Sequence, residues 1–251
     1  MGKRALLIVN EKSRAADREL SEGVALLKAS GLALIRDSSS ALIEAKLPLG
    51  IVPLGTANDL ARTLAIPRPP LEAFRVIAQG RLREIDVAKV NGVYFFNVAN
   101  IGLGVRVTSE LSSEIKRRWG VLAYSRGVAR ALKARRPFSV GIICDGASET
   151  LRTIQVAVGN GRHYGGGMTI DNQAQLGDSL LHVYSVEPTP WWRLTGVALA
   201  LKHGRPQNAI ERFSGKRVVV ETAKPKKVCA DGEMATRTPA HFEVLPHALK
   251  V

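Results

Sequence analysis

Residues 47–62 read LPLGIVPLGTANDLAR, an apolar run that leads into a loop of small and polar residues. The run at 47–54 predicts a buried strand, and the apolar spacing after the loop predicts a helix. Ligands of open α/β sheets bind beyond the carboxyl ends of the strands, where a helix start favours phosphate. The sequence therefore predicts a nucleotide site at Thr56, Asn58 and Asp59, with a plain helix N-cap as the structural alternative.

The segment that precedes this loop has the pattern of an α/β unit. Residues 5–9 are a short apolar run, residues 14–30 carry apolar side chains at helical spacing, and residues 32–35 form a second apolar run. A strand, a helix and a strand in this order are typical of an open α/β sheet. The N-terminal part is therefore predicted to be an open α/β domain.

Beyond residue 85 the sequence pattern changes. Short apolar runs alternate with turn signals such as Asn91-Gly92, and only residues 110–136, rich in Arg and Lys, have helical spacing. These features predict a mostly β second half. We place the domain change near residue 86.

A glycine-rich loop follows the predicted strand at 151–158. Five glycines occur within residues 159–167, and such density allows positive φ angles and close approach of a ligand to the backbone. A binding loop is favoured over a structural hairpin, and we assign Asn160, Gly165 and Gly166 to substrate binding. His163 is either a catalytic base or an exposed loop residue, and the lack of a carboxylate close in sequence favours the second.

Two carboxylates lie on a predicted tight turn in Ala230-Asp231-Gly232-Glu233. Either could act as the general base on an attacking hydroxyl, which is the role that phosphoryl transfer leaves to the protein. An Asp-Gly pair alone is usually only a hairpin turn, and Asp145-Gly146 is given no functional role for that reason.

The composition limits the classes of function. The 36 Lys and Arg residues exceed the 22 Asp and Glu residues by 14, so the net charge of +14 favours phosphate groups, anionic polymers or an anionic membrane. Few aromatic residues and no recognition motif argue against a nucleic-acid partner. Two distant cysteines fit a reducing cytosol, and the lack of a long apolar stretch predicts a cytoplasmic protein with at most peripheral membrane contact.

Taken in order, these motifs resemble those of bacterial diacylglycerol kinase-like lipid kinases. The resemblance rests on residues 10–13, PLGTANDLAR at 53–62, Phe96-Asn97 with Ile101-Gly102, the loop at 160–167, Asp178 and Ala230-Asp-Gly-Glu233. It extends over residues 5–251. It implies an N-terminal α/β domain at 1–86 that binds ATP, a C-terminal β-sandwich at 87–242 that receives the lipid, and a return of residues 243–251 to the first domain.

The resemblance also implies roles for residues of the active site. Asn10, Thr56, Asn58 and Asp59 would contact ATP and Mg²⁺. Asp231 would be the general base, and the carboxylate of Glu233 would support it.

A second metal site is implied in the second domain. Asp178, with the backbone carbonyls of Leu176 and Leu181, would bind a structural divalent cation. The implied partners are a lipid substrate and an anionic membrane surface; a homodimer is compatible with the sequence, which leaves the oligomeric state open.

One departure from the family pattern is large. The family has a Gly-Gly-Asp-Gly-Thr loop before PLGTANDLAR, whereas this chain has Asp37-Ser38-Ser39-Ser40 in that region. Either an internal segment of the natural protein is missing from this chain, or the deletion is genuine and the protein is a lipid-binding or regulatory protein without activity. The first explanation is favoured because a crossover this short could not connect parallel strands. A kinase of a soluble substrate, similar to NAD kinases, is a third alternative.

Overall fold

The computed structural model describes residues 3–6, 17–29, 32–35, 47–54, 58–110, 136–161, 163–164, 168–169, 174–190 and 210–251. Four predicted site residues lie outside these ranges, namely Asn10, Thr56, Gly165 and Gly166. Most of the predicted helical stretch at 110–136 also lies outside them.

The N-terminal part contains a parallel pair of strands. Strand β1 (Lys3–Leu6) pairs with β2 (Leu32–Ile35), and helix α1 (Asp17–Ala29) lies between them in sequence. Parallel strands need a crossover connection, which explains why a helix separates the two apolar runs. Helices α2 (Asp59–Thr63) and α3 (Pro70–Gln79) follow.

Helix α1 packs closely against α3 at a glycine. Gly23 is buried in α1, and a Cβ atom at this position would collide with the ring of Phe74, which is fully buried in α3. The helices can approach this closely because Gly23 has no side chain.

Residues 47–54 do not form the predicted buried strand. Within this segment only Leu49 makes a bridge, donating its backbone N–H to the carbonyl of Lys250 at 2.8 Å, and most of the segment is only half-buried. Pro48 and Pro53 have no N–H to donate to a ladder, which interrupts regular pairing.

Twelve strands of the described residues form two antiparallel sheets of six, as in a β-sandwich. The first has the order β4-β3-β16-β13-β6-β7, and the second has the order β12-β11-β8-β5-β14-β15. The first comprises β3 (Glu84–Val90), β4 (Val93–Phe95), β6 (Phe138–Cys144), β7 (Ala147–Thr153), β13 (Arg217–Glu221) and β16 (Ala240–Lys250). The second comprises β5 (Val98–Gly102), β8 (Gln155–Gly159), β11 (Leu181–Val186), β12 (Ile210–Gly215), β14 (Lys227–Ala230) and β15 (Glu233–Arg237).

Three further short elements complete the described structure. Helix α4 (Leu103–Glu110) follows β5, and β9 (His163–Tyr164) pairs with β10 (Met168–Thr169) in the glycine-rich region. Among the described residues, no helix is long and apolar enough to cross a membrane.

Strand β3 is buried on both faces. One face lies in the core of the sandwich, and the other packs against residues of the N-terminal part. Its residues Ala88 and Val90 belong to the core between the two sheets, where Phe95 and Phe242 meet edge to face with ring centroids 6.3 Å apart. Residues of β3 on the opposite face belong to a second apolar cluster. This cluster consists of Ile85, Val87, Leu176 and Leu249, against which Leu47, Leu49, Leu60 and Leu64 pack.

The predicted fold class is confirmed, since an α/β part precedes a sandwich of antiparallel sheets. The predicted domain limits at residues 86 and 243 lie inside β3 and β16 and stay a prediction.

Candidate active site

The turn Asp231-Gly232 connects β14 to β15 and is held on the connection between β4 and β5. Both turn residues have positive φ angles, 47° and 92°, as in the two-residue turns that suit antiparallel hairpins. The Asp231 carboxylate accepts hydrogen bonds from the backbone N–H groups of Phe96 at 2.6 Å, Asn97 at 3.0 Å and Val98 at 3.1 Å. The carboxylate therefore fixes the turn to residues 96–98.

Two opposing effects set the pKa of Asp231. Burial of the carboxylate raises the pKa above its ordinary value, while the three amide hydrogen bonds lower it, and burial is the larger effect. Although Asp231 as a whole residue is exposed at the turn, its carboxylate is desolvated by the connection that it contacts. The group consequently retains a proton more readily than an ordinary aspartate.

Glu233, the first residue of β15, has the opposite character. It is exposed, and no described residue forms a hydrogen bond or ion pair with its carboxylate. The turn fixes its backbone, because Glu233 is in register with Ala230 across the hairpin. An exposed carboxylate that no described residue engages is free to accept a proton from a bound hydroxyl.

Asn160 lies at the end of β8 and joins two parts of the site. Its side chain is fully buried and donates from Nδ2 to the carbonyls of Asp86 at 2.8 Å and Phe96 at 3.2 Å. Its backbone N–H also donates to the carbonyl of Asn97 at 2.8 Å. Asn160 thus holds the same connection that Asp231 contacts, while its own Oδ1 has no partner in the described structure. Its predicted role in substrate binding stays a prediction.

Helix α2 lies close to Gly161, the residue that follows Asn160. Asn58 adopts a left-handed conformation with φ of 50°, and its Nδ2 donates to the carbonyl of Pro53 at 3.3 Å, so its side chain does not cap the helix. Helix α2 begins at Asp59 and lies against β9. Thr63 also lies beside Gly161, where an added Cβ would be 3.8 Å from Thr63 Cγ2. Helix α2, which follows PLGTAND, therefore lies beside Gly161 and β9.

The residues present suit a nucleotide with a hard cation. Asn58 and Asp59 carry an amide and a carboxylate at the start of α2, and these are oxygen donors that Mg²⁺ prefers. No group of three or more His, Cys, Asp or Glu residues that could hold a metal occurs among the described residues.

Asp178, the predicted ligand of a second metal, has other partners in the structure. Its carboxylate accepts hydrogen bonds from the backbone N–H groups of Gln175 and Leu180, and it lies 2.9 Å from Nε2 of His182. The carbonyl of Leu176 accepts the backbone N–H of Asp86 at 2.9 Å. Leu181 lies within β11, in register with Gly215.

Asp86 is a residue that the sequence analysis missed. It is fully buried, and its carboxylate accepts the backbone N–H groups of Ser179 at 2.7 Å and His247 at 2.9 Å. Because the backbone of Asp86 also contacts Asn160 and Leu176, this residue connects the site to the loop at 174–180. The signal in the sequence was an acidic residue between the apolar Ile85 and Val87, because a carboxylate in such a buried position requires hydrogen-bond donors.

Comparison with known proteins agrees with this architecture. Residues 29–90 match the diacylglycerol kinase catalytic domain, and residues 97–251 match the YegS C-terminal NAD kinase beta sandwich-like domain. A crystal structure of a diacylglycerol kinase from Bacillus anthracis superposes with a TM-score of 0.79 at 25% identity, covering 99% of this chain and 96% of that one. The catalytic-domain match and the sandwich-domain match thus define a kinase.

Sequence relatives specify the family. A protein of Pseudomonas aeruginosa named "Probable lipid kinase YegS-like" is 35% identical over 246 residues, which cover 95% of this chain and 80% of the relative. A protein of the same name from Klebsiella pneumoniae is 30% identical, with 90% of this chain and 76% of the relative covered. The chain belongs to the YegS-like family of lipid kinases, which confirms the resemblance to diacylglycerol kinase-like enzymes.

Proposed function

We propose that the protein transfers the γ-phosphoryl group of ATP, with Mg²⁺, to the hydroxyl group of a diacylglycerol-like lipid. The relatives named as lipid kinases and the solved diacylglycerol kinase support this substrate class. The excess of 14 positive charges supports action at an anionic membrane surface, reached from the cytoplasm.

The main support for the proposal is that the two carboxylates of the Asp231-Gly232-Glu233 turn differ in their hydrogen bonding. Asp231 is occupied by three backbone amides, whereas Glu233 is exposed and has no described partner. From the sequence, Asp231 was expected to be the general base and Glu233 the supporting carboxylate. The geometry favours the reverse, with Glu233 as proton acceptor and Asp231 as the positioning residue.

The residues of the chain would act in the following way. Bound Mg·ATP supplies the γ-phosphoryl group, which separates from the ADP oxygen as the bond to the acceptor oxygen forms. Glu233 accepts the proton of the acceptor hydroxyl, and Asp231 keeps the turn on residues 96–98 so that Glu233 stays in place. Asn58 and Asp59 would hold the nucleotide and its cation at the start of α2.

The test is phosphate transfer from labelled Mg·ATP into mixed lipid vesicles containing diacylglycerol, with NAD as a soluble acceptor in a parallel reaction. The wild type is compared with Glu233→Gln, Asp231→Asn and Asp145→Asn. Loss of a general base lowers the rate by about 10²–10⁴-fold, so Glu233→Gln should lose this much in kcat. Asp145→Asn is the matched control, because Asp145 lies in another Asp-Gly turn and its carboxylate also accepts backbone N–H groups.

Each alternative gives its own result. A larger loss for Asp231→Asn than for Glu233→Gln, with both variants folded, would return the role of base to Asp231. Transfer to NAD but not to lipid would identify a kinase of a soluble substrate. If the natural protein has a mass of 27.1 kDa and transfers phosphate to no acceptor, the short segment at 36–46 is a genuine deletion and the protein is a non-catalytic lipid-binding protein.

A further inference from the structure

The loop at 174–180 is closed by one carboxylate with three hydrogen-bond donors. Asp178 Oδ1 accepts the N–H of Leu180 at 3.0 Å, while Oδ2 accepts the N–H of Gln175 at 2.9 Å and lies 2.9 Å from His182 Nε2. The two backbone donors lie on either side of Asp178 in sequence. The carboxylate therefore organises the loop that leads into β11.

Contacts at both ring nitrogens fix the orientation of the His182 side chain. Its side chain is only 7% exposed, and its Nδ1 lies 3.4 Å from the hydroxyl of Ser214, its register partner on β12. Since an ionised carboxylate can only accept hydrogen bonds, Nε2 carries the hydrogen toward Asp178 and Nδ1 accepts from Ser214. The sheet thus presents an N–H donor to Asp178 at a fixed position.

This donor arrangement does not fit a divalent cation. Such a cation requires about six oxygen ligands, whereas the three N–H contacts leave the Asp178 carboxylate only one of its about four acceptor positions. The carbonyl of Leu176 accepts the N–H of Asp86, and Leu181 lies inside the ladder between β11 and β12. The described residues contain no cluster of acidic side chains that could complete a metal site here.

We infer that His182 takes the place of a structural metal in this chain, so that the loop at 174–180 is held by the contact between Asp178 and His182 and binds no divalent cation. The loop also donates the N–H of Ser179 to Asp86, which in turn accepts Asn160 Nδ2 at its carbonyl. The inferred contact therefore supports the scaffold of the site without metal.

Thermal unfolding of the nucleotide-free protein tests this inference, measured in EDTA and in excess Ca²⁺ or Mg²⁺. The Tm of the wild type should be the same in both conditions, and elemental analysis should find no stoichiometric metal. His182→Asp would place a second carboxylate beside Asp178. Metal at tenfold its Kd should then raise the Tm of this variant by about 3–6 °C.

Two further variants make the result decisive. His182→Gln keeps a side-chain N–H donor and should remain insensitive to metal, so it serves if His182→Asp fails to fold. Asp178→Asn removes the carboxylate from the wild type. A metal-dependent rise of the wild-type Tm that disappears in Asp178→Asn would overturn the inference. A rise that persists in Asp178→Asn would arise at another site and would leave the inference standing.

Discussion

Three turns of the sandwich are built from an Asn or Asp followed by Gly, and all have positive φ at both positions. They are Asn91-Gly92 (44° and 90°), Asp145-Gly146 (46° and 96°) and Asp231-Gly232 (47° and 92°). In each turn a side-chain oxygen of the first residue accepts one or more backbone N–H groups of a neighbouring strand or connection. The bracing contact is therefore a general property of these turns and does not by itself indicate catalysis.

The residue after the glycine distinguishes the three turns. It is Val93 in the first, Ala147 in the second and Glu233 in the third. Only the third of these turns carries a side chain that can accept a proton, and this comparison within one molecule supports Glu233 as the functional group of the turn.

Asp231 and Asp145 should contribute to stability with opposite dependence on pH. Burial raises the pKa of Asp231, so the folded state binds its proton more tightly than the unfolded chain. Its contribution to the free energy of unfolding is therefore lost as the pH rises from about 4 through the raised folded value. Backbone amides of Lys216 and Arg217 lower the pKa of Asp145, so its contribution is present above about pH 4 and is lost only below it.

Urea unfolding of Asp231→Asn and Asp145→Asn against the wild type measures this difference. Relative to the wild type, Asp231→Asn should gain stability as the pH rises from about 4 to about 7, while the difference for Asp145→Asn should stay constant between about pH 5 and 8. Parallel pH profiles for Asp231→Asn and the wild type would show that the amide hydrogen bonds, and not burial, dominate at Asp231.

At the level of elements, the irregular part of β16 is stabilised by the buried carboxylate of Asp86. Leu245 is in register with Val87 and Leu249 with Ile85, so three residues of β16 lie opposite the single residue Asp86. Within that region His247 has a positive φ of 51° and donates its N–H to Asp86. The bulge moves the end of β16 toward the N-terminal part, where the carbonyl of Lys250 accepts the N–H of Leu49.

Asp86→Asn should therefore destabilise the protein by about 2–4 kcal/mol, because an amide side chain can satisfy only one of the two N–H groups. Urea unfolding measures the loss, and hydrogen exchange should accelerate at the amides of His247 and Ser179. Glu84→Gln is the control on the same strand, since its contact with Lys250 is 3.6 Å long and about half-exposed on both sides. Such a surface pair contributes at most about 1 kcal/mol, and equal losses in the two variants would refute the role of Asp86.

The sequence predicted those elements whose pattern is local. Residues 32–35 and 91–92 are a strand and a tight turn as predicted, because apolar runs and an Asn-Gly pair determine their own backbone. The predicted strand at 47–54 is not formed because two prolines remove backbone N–H donors from this apolar run. The predicted strand at 151–158 is divided at Ile154, where β7 passes into the second sheet as β8.

The site was predictable as a set of motifs but not as a set of contacts. Asp231 and residues 96–98 are more than 130 positions apart, and no local pattern shows that their hydrogen bonds leave Glu233 as the carboxylate without a described partner. Asp86 was missed for the same reason, since its donors come from positions 179 and 247. Long-range pairing, which depends on the whole fold, determines which carboxylate is occupied.

At the scale of the whole molecule, the net charge of +14 predicts association with anionic membranes. Vesicles with anionic lipid should bind the protein in low salt and release it in high salt, because the Debye length falls from about 10 Å at 0.1 M to about 3 Å at 1 M. Neutral vesicles should bind much less. Co-sedimentation over a salt series is the measurement, and binding that is equal on neutral and anionic vesicles would exclude an electrostatic mechanism.

The structure also indicates where on the sandwich such binding should be concentrated. Lys226 lies 4.2 Å above the ring of Phe138, and its pKa is lowered by burial and by the positive charge of Arg106. The exposed Lys224 and Lys227 flank this residue. An anionic surface stabilises positive charges that lie this close together. Each of Lys224→Ala and Lys227→Ala should therefore reduce the partition coefficient onto anionic vesicles by about fivefold, equivalent to about 1 kcal/mol. Lys89→Ala is the matched control, because Lys89 already lies 3.4 Å from Glu243. A general effect of net charge would make all three variants equal, whereas a docking face near Lys226 requires the first two to lose more.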